Sequence, residues 1–136
     1  MTTDNSGSSP DHSWRLRFEE RTGYLYAEAS GPEDSLAITT SYWRAIAAEC
    51  SRRNTTHLLV CDRLRGEPAS AEEFEKLASG LRDIGLERVR IAFHEPISDH
   101  LRDAEHGELA MREAGFTLRV FGNEREAEIW LRYGEA

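Results

Sequence analysis

The residues best suited to chemistry lie where two predicted strands end. Asp62 and Arg63 follow a continuous apolar run, and His94 and Glu95 end an alternating segment. Because open α/β sheets place their sites at the carboxyl ends of parallel strands, we expect these side chains at one edge. A histidine with an aspartate and an arginine could support acid–base chemistry or bind an anionic ligand. The predicted ligand or partner edge comprises Asp62, Arg63, Arg65, Ser70, His94 and Glu95.

No catalytic motif accompanies this edge. The sequence has no GxSxG nucleophile elbow, no Walker phosphate loop and no GxGxxG dinucleotide fingerprint. The pair Asp62–Arg63 is explained most simply as a pair that orders the turn after the strand. We therefore predict a protein that is not an enzyme, with no catalytic residues and no cofactor.

A second polar group lies on a predicted helix. Asp99, Asp103 and His106 share one face at i, i+4 and i+7, a spacing that could hold a divalent metal. A solvated helix face explains the same pattern, and the spacing is not an established zinc signature, so we predict no metal site. An enzyme or metal protein built on His94, Glu95, Asp99 and His106 is the last of three hypotheses.

Glu108 is unusual because it falls within an apolar stripe, between Ala104 and Met111. A carboxylate at such a position must be paired, hydrogen-bonded or protonated, or the helix must break beside it. We favour a helix break at Gly107, with Glu108 capping the segment that follows. The alternative is a site carboxylate beside the sheet.

The first elements that position these residues form a hairpin and a helix. Residues 14–20 alternate apolar and polar types and predict a strand, and residues 24–29 predict a second strand. The short turn at 21–23 makes the pair an antiparallel hairpin. Pro32 suits the first turn of a helix, and apolar residues repeat at helical spacing over 33–53.

The rest of the chain alternates strands and helices. The apolar run that ends at Asp62 is typical of a strand buried on both faces, in the middle of a parallel sheet. We predict further elements as follows: a helix capped by Ser70 and Glu73 that ends near Gly85, a strand at 88–94, a helix at 97–114, a strand at 117–121 and a helix capped by Asn123 with Glu126. The order β-β-α-β-α-β-α-β-α predicts a single α/β domain with a mostly parallel five-stranded sheet and an antiparallel edge strand.

Composition narrows the class of protein. The 136 residues suffice for one domain with a core. The net charge of −8 argues against a nucleic-acid binder, which needs a concentrated basic face. Residues 1–12 lack apolar periodicity, so we expect a disordered tail there and a domain over 13–136. The sequence has no apolar run long enough to span a membrane and no signal-peptide pattern, and Cys50 and Cys61 occupy core positions, so we expect a cytoplasmic protein.

Several short segments of the sequence resemble the STAS superfamily, the domain of anti-sigma-factor antagonists and sulfate-transporter tails. The resemblance is closer to the STAS-like bacterial proteins grouped with lipid-binding CRAL-TRIO folds. It covers the chain from about Tyr24 onward. The matching segments are Leu58-Leu59-Val60-Cys61-Asp62 with Leu64-Arg65-Gly66, then Arg90-Ile91-Ala92-Phe93, Glu108-Leu109-Ala110-Met111-Arg112-Glu113-Ala114-Gly115, Arg119-Val120-Phe121 and Ala127-Glu128-Ile129-Trp130-Leu131. The resemblance implies that the βα units wind as a superhelix.

The resemblance also implies a function, a non-catalytic regulatory module with a protein partner. Phosphorylation-switched members carry a serine in an Asp-Ser-Ser-Gly motif after the central strand. Ser70 lies near that place, but the motif is absent, which favours a simple helix cap. If the far face of the sheet is uncovered, Tyr24 and Tyr26 would form a partner or homodimer surface. The second hypothesis, suggested by the CRAL-TRIO likeness, is a small-ligand or lipid-binding module with an apolar pocket among Trp43, Phe74, Leu77 and Met111.

Overall fold

The computed structural model describes residues 14–67 and 69–134. The predicted tail at 1–12 lies outside the described residues. The strands are β1 (Arg15–Arg21), β2 (Tyr24–Gly31), β3 (His57–Leu64), β4 (Arg90–His94) and β5 (Thr117–Phe121). The helices are α1 (Leu36–Arg53), α2 (Ala71–Gly80), α3 (Leu101–Glu113) and α4 (Glu124–Tyr133), with short 3₁₀ turns at Leu86–Arg88 and Ser98–His100.

The five strands form one sheet in the order β1-β2-β3-β4-β5. β1 pairs antiparallel with β2, and every other pair is parallel. The predicted α/β class, element order and antiparallel edge strand are therefore confirmed, and β3 is the middle strand. Because the strands follow one another in sequence order, the carboxyl ends of β2, β3, β4 and β5 meet at one edge.

Helices cover both faces of the sheet. On one face α1, α2 and α3 bury the larger apolar core, which includes Ile46, Val60 and Leu77. On the other face α4 packs Trp130 and Leu131 against β2, β3 and β4. The two cores explain why β3 has apolar residues at successive positions, since each of its faces is covered by helices.

Several predicted boundaries are corrected. α1 begins at Leu36 rather than at 33, because Ser35 is the N-cap and its Oγ accepts from the Ile38 N–H at 3.1 Å, which leaves Pro32 outside the helix. α2 ends at Gly80, not near Gly85. The third helix begins later than predicted because 3₁₀ geometry takes up Ser98–His100, and the fourth strand begins later because of the turn at Leu86–Arg88.

The predicted break at Gly107 is wrong, since α3 continues through it. Because Gly107 has no side chain, another helix can approach α3 closely at this position. A Cβ atom at this position would lie 2.8 Å from the ring of Phe74 on α2, closer than carbon atoms can approach. Gly107 therefore lets α2 and α3 pack closely beside the carboxyl edge of the sheet.

Candidate functional site

The sheet separates the predicted site residues into two groups. Side chains alternate along a strand, so Asp62 points toward α1 while Arg63 lies on the side of α4. The same alternation separates Glu95 from His94. Asp62 and Glu95 line one cavity, whereas Arg63 and His94 lie across the sheet from it. The residues of the predicted edge therefore lie in two different environments, one on each face of the sheet.

The cavity on the α1–α3 face is the candidate site. We call it the acidic pocket. It has a volume of about 50 Å³. Four carboxylates line it, and three of them have no arginine partner among the described residues: Asp34 before α1, Asp62 in β3 and Glu95 after β4. The other lining residues include Thr39, Tyr42, Trp43, Phe74, Leu77, Phe93, His100, Ala104, Gly107, Glu108 and Met111.

Asp62 is the most firmly held of the three carboxylates. It is 8% exposed, and both of its oxygens accept hydrogen bonds, from Tyr42 Oη at 2.7 Å and from the Leu64 N–H at 2.9 Å. Burial and the nearby Asp34 raise its pKa to about 6, although both hydrogen bonds favour the charged form. Desolvation therefore outweighs two good hydrogen bonds.

Glu95 is buried with fewer partners. Its side chain is 7% exposed and accepts one hydrogen bond, from the Ile97 N–H to Oε2 at 3.0 Å. The second oxygen, Oε1, accepts no hydrogen bond from the described residues. Burial raises the pKa of Glu95 to about 7, with smaller contributions from the charges of Asp62 and Asp34. Glu95 therefore has free hydrogen-bonding capacity inside the pocket.

Asp34 completes the acidic group and was missed from the sequence. Its Oδ1 accepts from the Ser35 N–H and from Thr39 Oγ1, both at 2.8 Å, and burial raises its pKa. The loop after β3 fixes its position, because a Cβ at Gly66 would lie 3.2 Å from the Asp34 nitrogen. Gly66 also has a φ of +96°, which disfavours other residues there. The sequence offered one signal, an acidic residue immediately before the N-cap Ser35.

Aromatic side chains form part of the pocket wall. The rings of Tyr42 and Trp43 stack at 5.8 Å, and those of Trp43 and Phe93 at 6.2 Å. The four residues predicted for an apolar pocket, Trp43, Phe74, Leu77 and Met111, all line this cavity. The pocket therefore joins an apolar, aromatic wall to three carboxylates.

Glu108 also reaches the pocket, but as a satisfied group. Its Oε1 accepts from the Val120 N–H at 2.8 Å, and its Oε2 pairs with Arg112 at 3.1 Å. It thus caps a backbone donor on the outer side of the edge strand β5. The expectation that it caps a helix is corrected, and its place beside the sheet matches the alternative.

The opposite side of the edge has a different character. We call it the arginine face: Glu28, Glu124 and Glu128, paired with Arg17, Arg21, Arg63 and Arg132. Tyr24 and Tyr26 donate to Glu128 and Glu28, and both rings are buried under α4 and the arginines. The exposed tyrosine surface considered for a homodimer is therefore not formed.

His94 on the arginine face is not arranged as a catalytic base. Its Nδ1 lies 3.5 Å from Cys61 Sγ and 4.0 Å from Glu124 Oε1, so the thiol and the carboxylate approach the same nitrogen. A nucleophile–base–acid relay needs them on opposite nitrogens. Burial raises the pKa of Cys61 to about 11 and lowers that of His94, which disfavours a thiolate–imidazolium pair.

The remaining predicted residues lie apart from the pocket. Arg65 is exposed, and Ser70 forms the predicted capping box, with its Oγ 3.2 Å from the Glu73 nitrogen. Asn123 caps α4 as predicted. Within residues 14–67 and 69–134, no three His, Cys, Asp or Glu side chains are grouped so that they could hold a metal ion. Over the same ranges, no helix has the length and apolar character to cross a membrane.

Comparison with known proteins shows a similarity to part of a longer plant protein. No protein-family model matches the chain. The chain is 31% identical over 107 residues to the chloroplastic riboflavin biosynthesis protein PYRR of Arabidopsis thaliana. The matched region is 79% of this chain but 15% of the plant protein, so the chain spans a small part of that relative's length.

Proposed function

We propose that this chain is a non-catalytic binding module and that a small molecule binds in the acidic pocket. The observation that carries the proposal is Glu95, a carboxylate 7% exposed that lines a cavity with one oxygen lacking a hydrogen-bond donor among the described residues. Oε1 is not fully enclosed by the protein, so a donor from outside can reach it. A ligand in the cavity can therefore donate to this oxygen without displacing a protein group.

The volume of the pocket limits the ligand. A cavity of about 50 Å³ accommodates a few water molecules, since each needs roughly 10–15 Å³ by this measure. The enclosed part of a ligand is therefore a small head group of a few heavy atoms. This size favours a small ligand over the lipid alternative, because an acyl chain needs a much longer channel.

A fragment titration followed by NMR tests this function. We expect small polar fragments to shift the Trp43 indole and Gly107 amide signals of the ¹⁵N-labelled protein. Ala69→Leu adds bulk to the pocket lining and is expected to weaken binding about tenfold, the equivalent of ~1.4 kcal/mol. Ala71→Leu, on the exposed first turn of α2, is the matched control. Failure of every fragment to shift pocket signals would contradict the proposal.

A second candidate function is a role in riboflavin biosynthesis, supported by the similarity to PYRR. In this case the module would bind riboflavin or an intermediate of its synthesis, with a polar edge of the ligand in the pocket. Titration of riboflavin against the protein, followed by flavin fluorescence, tests it directly. Unchanged flavin fluorescence at saturating protein would remove riboflavin as the ligand.

The protein-interaction role implied by the STAS resemblance stays a prediction. It is compatible with ligand binding, because a regulatory module can bind a partner on one surface and a small molecule in a pocket.

A further inference from the structure

The charges around the acidic pocket are unbalanced. Asp34, Asp62 and Glu95 line it, and no lysine or arginine is among its lining residues in the described part of the chain. His100 is the one lining side chain there that can become cationic, and its charge acts on Asp34. Glu108 is already paired with Arg112. The remaining carboxylates therefore produce a negative potential in the cavity, which their partial burial strengthens.

We propose that the ligand is a small organic cation, an ammonium or guanidinium group on a short alkyl stem. The cationic group would lie near Glu95 and Asp62, and the stem would contact the apolar wall. This inference rests on the proposed function and names the chemistry of its ligand.

Three observations support a cation rather than a neutral or anionic ligand. First, Glu95 Oε1 is a free acceptor inside the cavity, and an N–H donor with a positive charge makes the strongest hydrogen bond to a carboxylate. Second, Trp43 and Phe93 line the same cavity, and an organic cation is attracted to an aromatic ring whose face it can reach. Third, three carboxylates without a compensating arginine would repel an anion.

The shape of the acidic group favours an organic cation over a metal ion. A metal needs several oxygen ligands converging at about 2.0–2.6 Å. The described residues contain no such group of three. An ammonium or guanidinium spreads its donors over several directions and can bond to carboxylates that stand apart.

The protonation of the pocket gives a second readout. Burial raises the pKa of Asp62 to about 6 and of Glu95 to about 7, so both gain charge as the pH rises from 6 to 8. The other titratable groups facing them are Asp34 before α1, Tyr42 on α1, His100 before α3 and Glu108 on α3. A cation must displace the protons that remain at pH 6, so its affinity is expected to rise about tenfold between pH 6 and 8.

The test uses matched ligands on the full chain. n-Butylammonium, 1-butanol and n-butyrate share an alkyl stem and differ in the charge of the head group. Calorimetric titration at pH 8 is expected to give n-butylammonium an affinity at least tenfold above that of 1-butanol, with n-butyrate the weakest. Glu95→Gln should reduce the cation's affinity at least tenfold and leave that of 1-butanol unchanged. Glu124→Gln, on the arginine face, removes a carboxylate outside the pocket and should change neither.

The outcomes separate the two proposals. Equal binding of n-butylammonium and 1-butanol, with pocket signals shifted by both, would overturn the cation and leave the small-ligand function standing. No pocket binding by any of the three, nor by the fragment set, would overturn the function itself. If a capped arginine peptide binds more tightly than free n-butylguanidinium, the proposal of a small-molecule ligand is overturned. The cation would then be an arginine side chain of a partner protein.

Discussion

The two sides of the sheet's carboxyl edge treat the same chemical group in opposite ways. On the arginine face, Glu28 and Glu124 each pair with an arginine, and both keep contact with solvent. In the acidic pocket, Asp62 and Glu95 are more than nine-tenths buried, and no arginine of residues 14–67 and 69–134 lines the cavity. The comparison teaches that carboxylates separated by one sheet can be structural on one side and open to a ligand on the other. The difference lies in their partners, not in their residue type.

The largest effect is expected from neutralising Glu95. Its folded pKa of about 7 lies above the ordinary value of 4.5, so the folded chain holds a proton that the unfolded chain has lost. Stability therefore falls as the pH rises between these values. Glu95→Gln is expected to stabilise the protein by about 1–2 kcal/mol at pH 8 and to be nearly neutral at pH 5. Urea denaturation at both pH values measures this.

Neutralising a carboxylate of the arginine face should have the opposite sign. Glu124→Gln removes the 3.1 Å ion pair between Glu124 and Arg21. Because both side chains of this pair are partly exposed, we expect a loss of stability under about 1 kcal/mol at pH 7. If both variants destabilised the protein equally at pH 8, the contrast between the two sides would be lost.

An effect smaller than that of Glu95→Gln is expected from removing one tyrosine hydroxyl. Tyr42→Phe deletes the 2.7 Å hydrogen bond to Asp62 and leaves a buried carboxylate oxygen without that donor, at a cost of about 1 kcal/mol or somewhat more. Tyr26→Phe deletes an equally short bond to Glu28, but Arg17 still reaches that carboxylate at 3.0 Å. We expect the second variant to lose clearly less stability in urea denaturation. Equal losses of stability in the two variants would mean that the arginines do not compensate Glu28 for the lost tyrosine hydrogen bond.

The smallest effect is expected from His94, and its pH dependence runs opposite to that of Glu95. Burial lowers the pKa of His94 below the ordinary 6.5, with the Glu124 charge opposing it. Below pH 6.5 the unfolded chain thus binds the proton more readily, and this residue's contribution to stability falls as the pH falls. His94→Gln should therefore gain stability relative to the parent protein as the pH drops from 7 to 5. Thermal melts from pH 7 to pH 5 measure this difference. A melting temperature of His94→Gln that falls relative to that of the parent protein as the pH drops would contradict the prediction.

Much of the fold follows from local patterns in the sequence. The alternation in β1, the apolar run of β3 and the caps at Ser70 and Asn123 each rest on interactions within a few residues, so their elements could be predicted. Boundaries that depend on competition between neighbouring signals could not. Ser35 displaced Pro32 as the start of α1 because a side-chain cap satisfies a backbone donor, which proline does not.

The sequence also contained part of the candidate site. It located Asp62 and Glu95 at strand ends and named four apolar residues that line the acidic pocket. It did not separate Asp62 from Arg63, although the two-residue period of a strand places adjacent side chains on opposite faces. Whether each face is covered, and by which helix, depends on the path of the whole chain.

The sequence by itself thus determined the elements, their order and the kind of sheet, because these depend on periodicity and short-range hydrogen bonds. Only the tertiary structure decided which charges are compensated. Asp34 and Glu95 are 61 positions apart in the chain yet act on each other's charge, and Arg21 meets Glu124 across 103. Such pairings arise when loops and helices pack over a sheet, and burial then fixes the protonation of each group.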